Sequence, residues 1–208
     1  MRFSKGFAPQ ARKPSGFFGR IVMSQIFDKG NAFLNQCTKE FIAVNENDHI
    51  LEIGFGTGQL LFEMAQYING GVIEGIEFSE EMISIAVKRN KEYISQRKVK
   101  ILKGNFDKCA FEKNTYDKIC TINTIYFWQD PKKTAKKIAE ILKPGGKFIT
   151  AFEDIKQLQN RKLDENIFQL YSAFDVKDML FNSGFLTDVS IETRKKGKMK
   201  YHCVVAIK

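Results

Sequence analysis

The segment Leu51-Glu52-Ile53-Gly54-Phe55-Gly56-Thr57-Gly58 stands where an apolar run gives way to helical spacing. Glycines at such a turn let the backbone take positive φ and bring the main chain close to a ligand. The start of the following helix presents unpaired N–H groups. Two nucleotide readings compete here, and both fail. The dinucleotide fingerprint GxGxxG needs a third glycine where Gln59 stands, and a phosphate loop needs Gly-Lys followed by Ser or Thr, which is absent. What remains is an acid, Glu52, ahead of three alternating glycines. That acid would repel a pyrophosphate, so the pattern suits a ligand carrying an ammonium group. Glu77, about 20 residues beyond the loop at the end of the next apolar run, is placed to accept hydrogen bonds from both hydroxyls of a ribose.

Holding these groups together requires strands that end side by side. His49–Gly54, Gly71–Glu77, Val99–Lys103, Tyr116–Asn123 and Lys147–Phe152 read as buried strands. They alternate with helical patterns over Gly58–Asn69, Ser79–Glu92 and Pro131–Leu142. Ser79 is the expected N-cap of the second helix, with Met82, Ile83, Ile85 and Ala86 on its apolar side. Lys143-Pro144-Gly145-Gly146 stops the third. This alternation implies parallel pairing in a three-layer α/β domain. Asp175–Asn182 reads as a short helix capped by Asp175. Leu186–Thr193 and Tyr201–Ile207 have no helix between them, which predicts an antiparallel hairpin around the basic turn RKKGKMK. Ahead of the domain, the apolar residues from Phe17 to Val44 recur at helical spacing. Gly30 and Asn31 divide them into two helices expected to act as a lid. The predicted division is a basic N-terminal segment with lid helices over 1–44 and the main domain over 45–208.

Composition narrows the function. The chain has 208 residues, 43% of them hydrophobic, and no apolar run approaches the ~20 residues of a membrane span. The N-terminus is basic without a continuous apolar core, so it does not read as a secretory signal, and a cytoplasmic location is expected. Cys37, Cys109, Cys120 and Cys203 form no CxxC pair and the only histidines are His49 and His202, so neither a metal site nor a disulfide framework is expected. Both histidines read as structural. Arg2, Lys5, Arg12, Lys13 and Arg20 at one end, with Arg194, Lys195, Lys196, Lys198, Lys200 and Lys208 at the other, carry more positive charge than the whole net balance of +9. Such a patch suits phosphates, nucleic acid or an anionic surface, or is a solvated tail and turn.

Residues 40–208 resemble the class I S-adenosylmethionine-dependent methyltransferases. LEIGFGTG is similar to that family's first motif, IEFSEEMISIA to its second, and KGNFDKCAF to its third. YDKICTINTIYFW looks like its fourth strand and loop, LKPGGKF like the turn before its fifth strand, and NSGF at 182–185 like the segment before its late strands. Each is weak alone; together, in order, they carry the resemblance. It implies a Rossmann-like sandwich with a seven-stranded, mostly parallel sheet whose last strand is antiparallel. It also implies S-adenosyl-L-methionine as cofactor. By position, Glu52 would approach the methionine ammonium, and Gly54, Phe55, Gly56, Thr57 and Gly58 would wrap the aminoacyl part. Glu77 would hold the ribose, with Phe78 and Met82 over the adenine. Asn105 and Phe106 would address the adenine edge, and Asn123 and Thr124 would lie under the methionine carbons. The family often has Asp where Asn105 stands; the amide oxygen can still accept from the adenine amino group. Phe106 takes a place usually small.

The resemblance implies in-line SN2 transfer of a methyl group to a small-molecule acceptor, in the branch of quinone-ring and other small-metabolite enzymes. Tyr126, as polar contact or base, Trp128, as aromatic wall, and Asp154 are the acceptor-side candidates, beside Phe127 and Glu153. Two other readings stay open: an RNA or protein methyltransferase using the basic termini, and a cofactor-binding module without catalysis. The acceptor and the oligomeric state are not specified by the sequence.

Overall fold

The computed structural model describes residues 24–208, apart from 162, 186 and 187, together with residues 10, 12, 15 and 16. Arg2, Lys5, Lys13, Arg20 and most of the first predicted lid helix lie outside the described residues. In chain order the elements are α1 (Ser24–Ile42), β1 (His49–Ile53), α2 (Gln59–Ala65), β2 (Val72–Glu77), α3 (Glu80–Arg89), α4 (Lys91–Ser95), β3 (Val99–Lys103), β4 (Tyr116–Ile122), a 3-10 turn (Ile125–Phe127), α5 (Pro131–Ile141), β5 (Leu142–Glu153), α6 (Ile155–Gln159), α7 (Ala173–Phe181), β6 (Asp188–Lys196) and β7 (Met199–Ile207).

The strands form one seven-stranded sheet in the order β3-β2-β1-β4-β5-β7-β6. Strands β1 to β5 pair in parallel, and β7 runs antiparallel between β5 and β6. The predicted seven-stranded, mostly parallel sheet is therefore observed, with the reversed strand inserted rather than at the edge. Side chains alternate between two cores, as period-2 geometry requires. Leu51, Ile119, Phe148 and Phe152 face α5 and α7, while Ile50, Cys120, Ile149 and Ala151 face α1 and α2. That alternation makes the three-layer sandwich. Among the described residues, no helix is long and apolar enough to cross a membrane.

Four local expectations are corrected. First, α1 runs unbroken through Gly30 and Asn31. A helical glycine costs about 1 kcal/mol relative to alanine. Burial of Leu34, Cys37 and Ile42 in the sheet-facing core outweighs that cost, and the Asn31 side chain accepts a hydrogen bond from Asn123 Nδ2 at 2.8 Å. Second, the helix after Ser79 ends at Arg89. Asn90, fully buried, donates its amide to Gly58 O at 3.0 Å and Ala86 O at 2.9 Å, and α4 starts beyond it. Third, α7 is capped by Ser172, with Asp175 three residues on completing a capping box. Fourth, the basic stretch 194–200 is paired strand except at Gly197 and Lys198, and Gly197 takes a φ of 58°. Its cations lie along α1: the Arg194 guanidinium is 4.8 Å from the Phe41 ring and 2.9 Å from Glu40, and Lys196 is 5.7 Å from the Phe33 ring. Long cationic side chains cover apolar surface in this way, so charge did not force a loop.

The strand ends opposite the glycine turn are held by Glu74. It accepts from Tyr116 OH at 2.7 Å and Lys100 Nζ at 2.8 Å, with His49 Nε2 at 3.5 Å. The His49 contact, with Lys100 and Tyr116, lowers the Glu74 carboxyl to about 2 from its ordinary value of 4.5. A carboxyl lowered on folding stabilises the native state above its ordinary value, and that stability is lost as pH falls toward about 2. At about 1.36 kcal/mol per unit, Glu74→Gln is expected to cost up to ~3 kcal/mol above pH ~5. The difference from the parent protein should vanish near pH ~2. Urea unfolding at both pH values checks this, and a penalty independent of pH would refute it.

Candidate active site

The sheet reverses its winding direction between β1 and β4, and a crevice opens at the carboxyl ends of their strands, where open α/β sheets bind ligands. A cavity of about 890 Å³ occupies it. Its floor is the glycine turn, with Gly54, Gly56 and Gly58 at φ of 71°, 54° and 70°. At Gly54 a Cβ would meet Thr124 Cγ2 at 2.6 Å, so only glycine lets the two loops close on each other. Gly58 has a different task. A Cβ there would lie 2.7 Å from Ala86 Cβ and 2.8 Å from Asn90 Nδ2, so its bare α-carbon lets α2 start against α3.

Glu52, Gly54, Phe55, Gly56, Thr57, Glu77, Phe78, Met82, Asn105, Phe106, Asn123 and Thr124 all line the cavity. Gly58 does not; it is turned into the α3 contact. Glu77 Oε1 accepts from the Phe78 and Ser79 N–H groups at 2.8 and 2.9 Å, and Oε2 accepts from Gly56 N–H at 3.2 Å. Burial pushes the Glu77 carboxyl up, and these three donors pull it back. Glu52 differs: its Oε2 is buried with no hydrogen-bond partner among the described residues. Burial, then the Glu77 charge, raises its carboxyl well above the usual range. Asn105 is exposed, and its side-chain oxygen accepts from Asp107 N–H at 2.9 Å, which leaves one lone pair for a ligand. Phe106 is buried, its ring 5.3 Å from Phe111 and 4.6 Å from the Lys137 ammonium.

The Thr57 hydroxyl donates to Asp28 and accepts from Arg89 Nη1 at 2.6 Å. Arg89 also donates to both Asp28 carboxylate oxygens, at 3.2 and 2.6 Å. Thus α1 and α3 grip the glycine turn from outside. No local pattern marked Asp28 or Arg89, because the two are brought together only by the fold.

The cavity also reaches the loops after β4 and β5. Tyr126 and Trp128 line it as expected, with Phe127 and Glu153. Asp154 does not. It caps α6 through Lys156 N–H and pairs with His202 Nε2 at 3.1 Å, so its carboxylate is committed away from the cavity. The Tyr126 phenol donates to Asn123 Oδ1 at 3.2 Å and accepts from Glu153 N–H at 2.9 Å. Burial raises its proton affinity above that of the ordinary phenol, and the hydroxyl makes both of these bonds within the protein. Arg161 forks onto both oxygens of Glu153, at 3.0 Å for the Nη1 bond. Leu158, Leu163, Ile167 and Phe168 complete an apolar wall, with the Phe168 ring 4.9 Å from that of Phe127. Arg161 and this wall went unnoticed in the sequence. The apolar spacing of Leu158, Leu163 and Ile167 was the available signal, but it has neither strand nor helix period.

The residues fit a nucleoside carrying a cationic amino acid. Glu52, with a buried carboxylate oxygen that has no partner among the described residues, lines one part of the crevice, and Glu77 at the end of the adjoining strand lines another. Glycine backbone lies between them, with Phe78, Met82 and Phe106 beyond.

Known proteins are similar to this chain in sequence and in fold. A family profile described as a methyltransferase domain matches residues 50–146. The chain is 31% identical over 127 residues to the uncharacterized methyltransferase YdaC of Bacillus subtilis, a match spanning 61% of this chain and 68% of that protein. It is 29% identical over 132 residues to a demethylmenaquinone methyltransferase of Symbiobacterium thermophilum, spanning 62% of this chain and 52% of that protein. The chain thus spans about half the length of the quinone enzyme. In fold it is similar to the crystal structure of a SAM-dependent methyltransferase from Aquifex aeolicus. The TM-score is 0.69 at 18% identity, covering 99% of this chain and 98% of that one.

Proposed function

The chain belongs to the class I S-adenosylmethionine-dependent methyltransferases, and from that premise we propose that it methylates a small, largely apolar molecule seated beyond the glycine turn. The observation that carries this reading is the cavity itself. Its volume of about 890 Å³ falls within the ~300–1,000 Å³ of small-molecule sites. Its far wall is Phe127, Leu158, Leu163, Ile167 and Phe168, and its charged pair, Glu153 with Arg161, is mutually neutralised. The relative named for demethylmenaquinone supports an acceptor of this kind.

S-adenosylmethionine, when bound, supplies a sulfonium whose methyl carbon is the electrophile for in-line SN2 displacement. The chain's own residues do the rest. In this reading Glu52 receives the ammonium and Gly54, Phe55, Gly56 and Thr57 follow the aminoacyl part. Glu77 takes sugar hydroxyls at Oε2, whose one protein donor, Gly56 N–H, is long. Phe78, Met82 and Phe106 cover the base, Asn105 meets its edge, and Asn123 and Thr124 support the methionine carbons.

Asn123 is fixed by hydrogen bonds to Asn31 and Tyr126, so the loop after β4 is held from two sides. With Tyr126 protonated and Glu153 clamped by Arg161, these residues orient rather than abstract. Orientation lowers a barrier by up to ~7–11 kcal/mol, whereas a general base adds about 10²–10⁴-fold. Trp128 and Phe127 wall the acceptor, and Gly30, Asn31 and Asn35 of α1 border the same cavity.

The test is incubation with methyl-labelled S-adenosylmethionine and separate metabolite, RNA and protein fractions. Label is expected in an organic-extractable small molecule. Label confined to RNA or protein would overturn the acceptor class. Cofactor binding without turnover on any fraction would overturn catalysis.

A further inference from the structure

The crevice contains one acid that its own protein leaves unsatisfied. Glu52 is 3% exposed, its Oε2 has no hydrogen-bond partner among the described residues, and the residue lines the cavity. One donor, the Leu61 N–H of α2, addresses the carboxyl. The charges that act on it are Glu77 from β2 and Glu63 from α2, both negative. Lys39 of α1 is held by Glu63 at 2.6 Å. Cys120 of β4 is the neighbouring thiol, and burial keeps it protonated. Arg12 and Arg161 border the same cavity and Asp28 is bound by Arg89, but none of these is among the charges acting on Glu52. A bare carboxylate in such a place is costly, and a neutral carboxyl costs far less.

We propose that Glu52 carries a proton while the crevice lacks a cation and releases it to solvent when a primary ammonium is seated against it, so that cofactor binding is proton-linked. The proposal rests on the placement of the cofactor's amino-acid part beside Glu52. The balance is simple: a neutral carboxyl and an ammonium ligand become a carboxylate–ammonium pair, and one proton passes to the buffer. Burial, with Glu77 second, raises the carboxyl in the free protein, and this supplies the range over which the exchange operates. Within that range the affinity for an ammonium-bearing ligand rises about tenfold per pH unit. It becomes flat once Glu52 is ionised in the free protein. The same nucleoside without its amino acid gains nothing from the ionised form and shows no rise. Glu52 therefore discriminates between cofactor-derived nucleosides as a function of pH.

The test is titration calorimetry at pH ~6 in buffers of different ionisation enthalpy. At that pH an α-amino group, with its ordinary value of about 7.7–8.0, stays charged. S-adenosylhomocysteine is expected to release protons, up to one per site. 5′-Methylthioadenosine should bind more weakly and release none, and Glu52→Gln should bind S-adenosylhomocysteine without proton release. The two nucleosides decide the matter on the parent protein alone, whatever the stability of the variant. S-adenosylhomocysteine heats that do not vary with buffer would overturn the proposal while leaving the cofactor site standing. So would proton release by 5′-methylthioadenosine or by the variant. Absence of binding by either nucleoside would overturn the cofactor placement, and the proposal with it.

Discussion

Glu77→Ala is expected to raise the Kd for S-adenosylhomocysteine about a hundredfold or more. The carboxylate is 6% exposed and touches the end of β2 and the glycine turn together. A hydrogen bond to a charged group is worth about 1.5–3 kcal/mol, and two sugar hydroxyls double the stake; about 2.8 kcal/mol already corresponds to a hundredfold. The substitution also removes the carboxylate that accepts from the Phe78, Ser79 and Gly56 N–H groups, which accounts for a further part of the effect through the shape of the turn. Glu77→Gln separates the two contributions. Its amide oxygen can keep the Phe78 and Ser79 bonds, while its NH2 meets the Gly56 N–H donor to donor. This variant should fold with near-normal stability and still bind at least tenfold more weakly. Calorimetry beside thermal unfolding reads both quantities, and an unchanged Kd in Glu77→Ala would remove the residue from the site.

The largest loss of stability is expected at the other end of the sheet. Asp48 and Lys118 are 7% and 9% exposed, and their ion pair is 2.6 Å long. Asp48 Oδ2 also accepts from Asn45 N–H at 2.7 Å, and Lys118 donates a second bond to Ala43 O. The pair therefore fastens the loop after α1 to β4. Breaking a buried pair by removing one partner costs about 3–5 kcal/mol, because the survivor is left charged and unpaired. Asp48→Ala should lose that much in urea unfolding. The double variant Asp48→Leu with Lys118→Met should recover most of it, since the burial of a lone charge disappears. A single-variant loss under ~1 kcal/mol would show that water already reaches the site. Because the pair lies at the opposite strand ends from the glycine turn, the Kd for S-adenosylhomocysteine in the folded fraction should not move.

Much of this architecture was legible in local sequence. A buried parallel strand is a short apolar run, and each of the first five strands stands where such a run was expected, β3 with the same ends. The glycine turn and Glu77 were legible because spacing within one β-α-β unit is a property of the chain itself. Boundaries were harder. The basic stretch 194–200 reads as a turn until α1 is known to lie beside it, and Ser172 outcompeted Asp175 as a cap because the two act as one reciprocal pair.

The sequence alone determined the alternation of strands and helices, the turn that only glycine can make, and the presence of two acids on consecutive strands. These follow from backbone sterics and hydrophobic period, which act over a few residues. Only the tertiary structure decided that β7 enters the sheet between β5 and β6, that Asp154 turns to His202, and that Arg161 clamps Glu153. It alone also brought Asp28 and Arg89 together on Thr57 and left one Glu52 carboxylate oxygen without a partner among the described residues. Such outcomes depend on which distant surfaces meet and what water they exclude, and no local spacing records that.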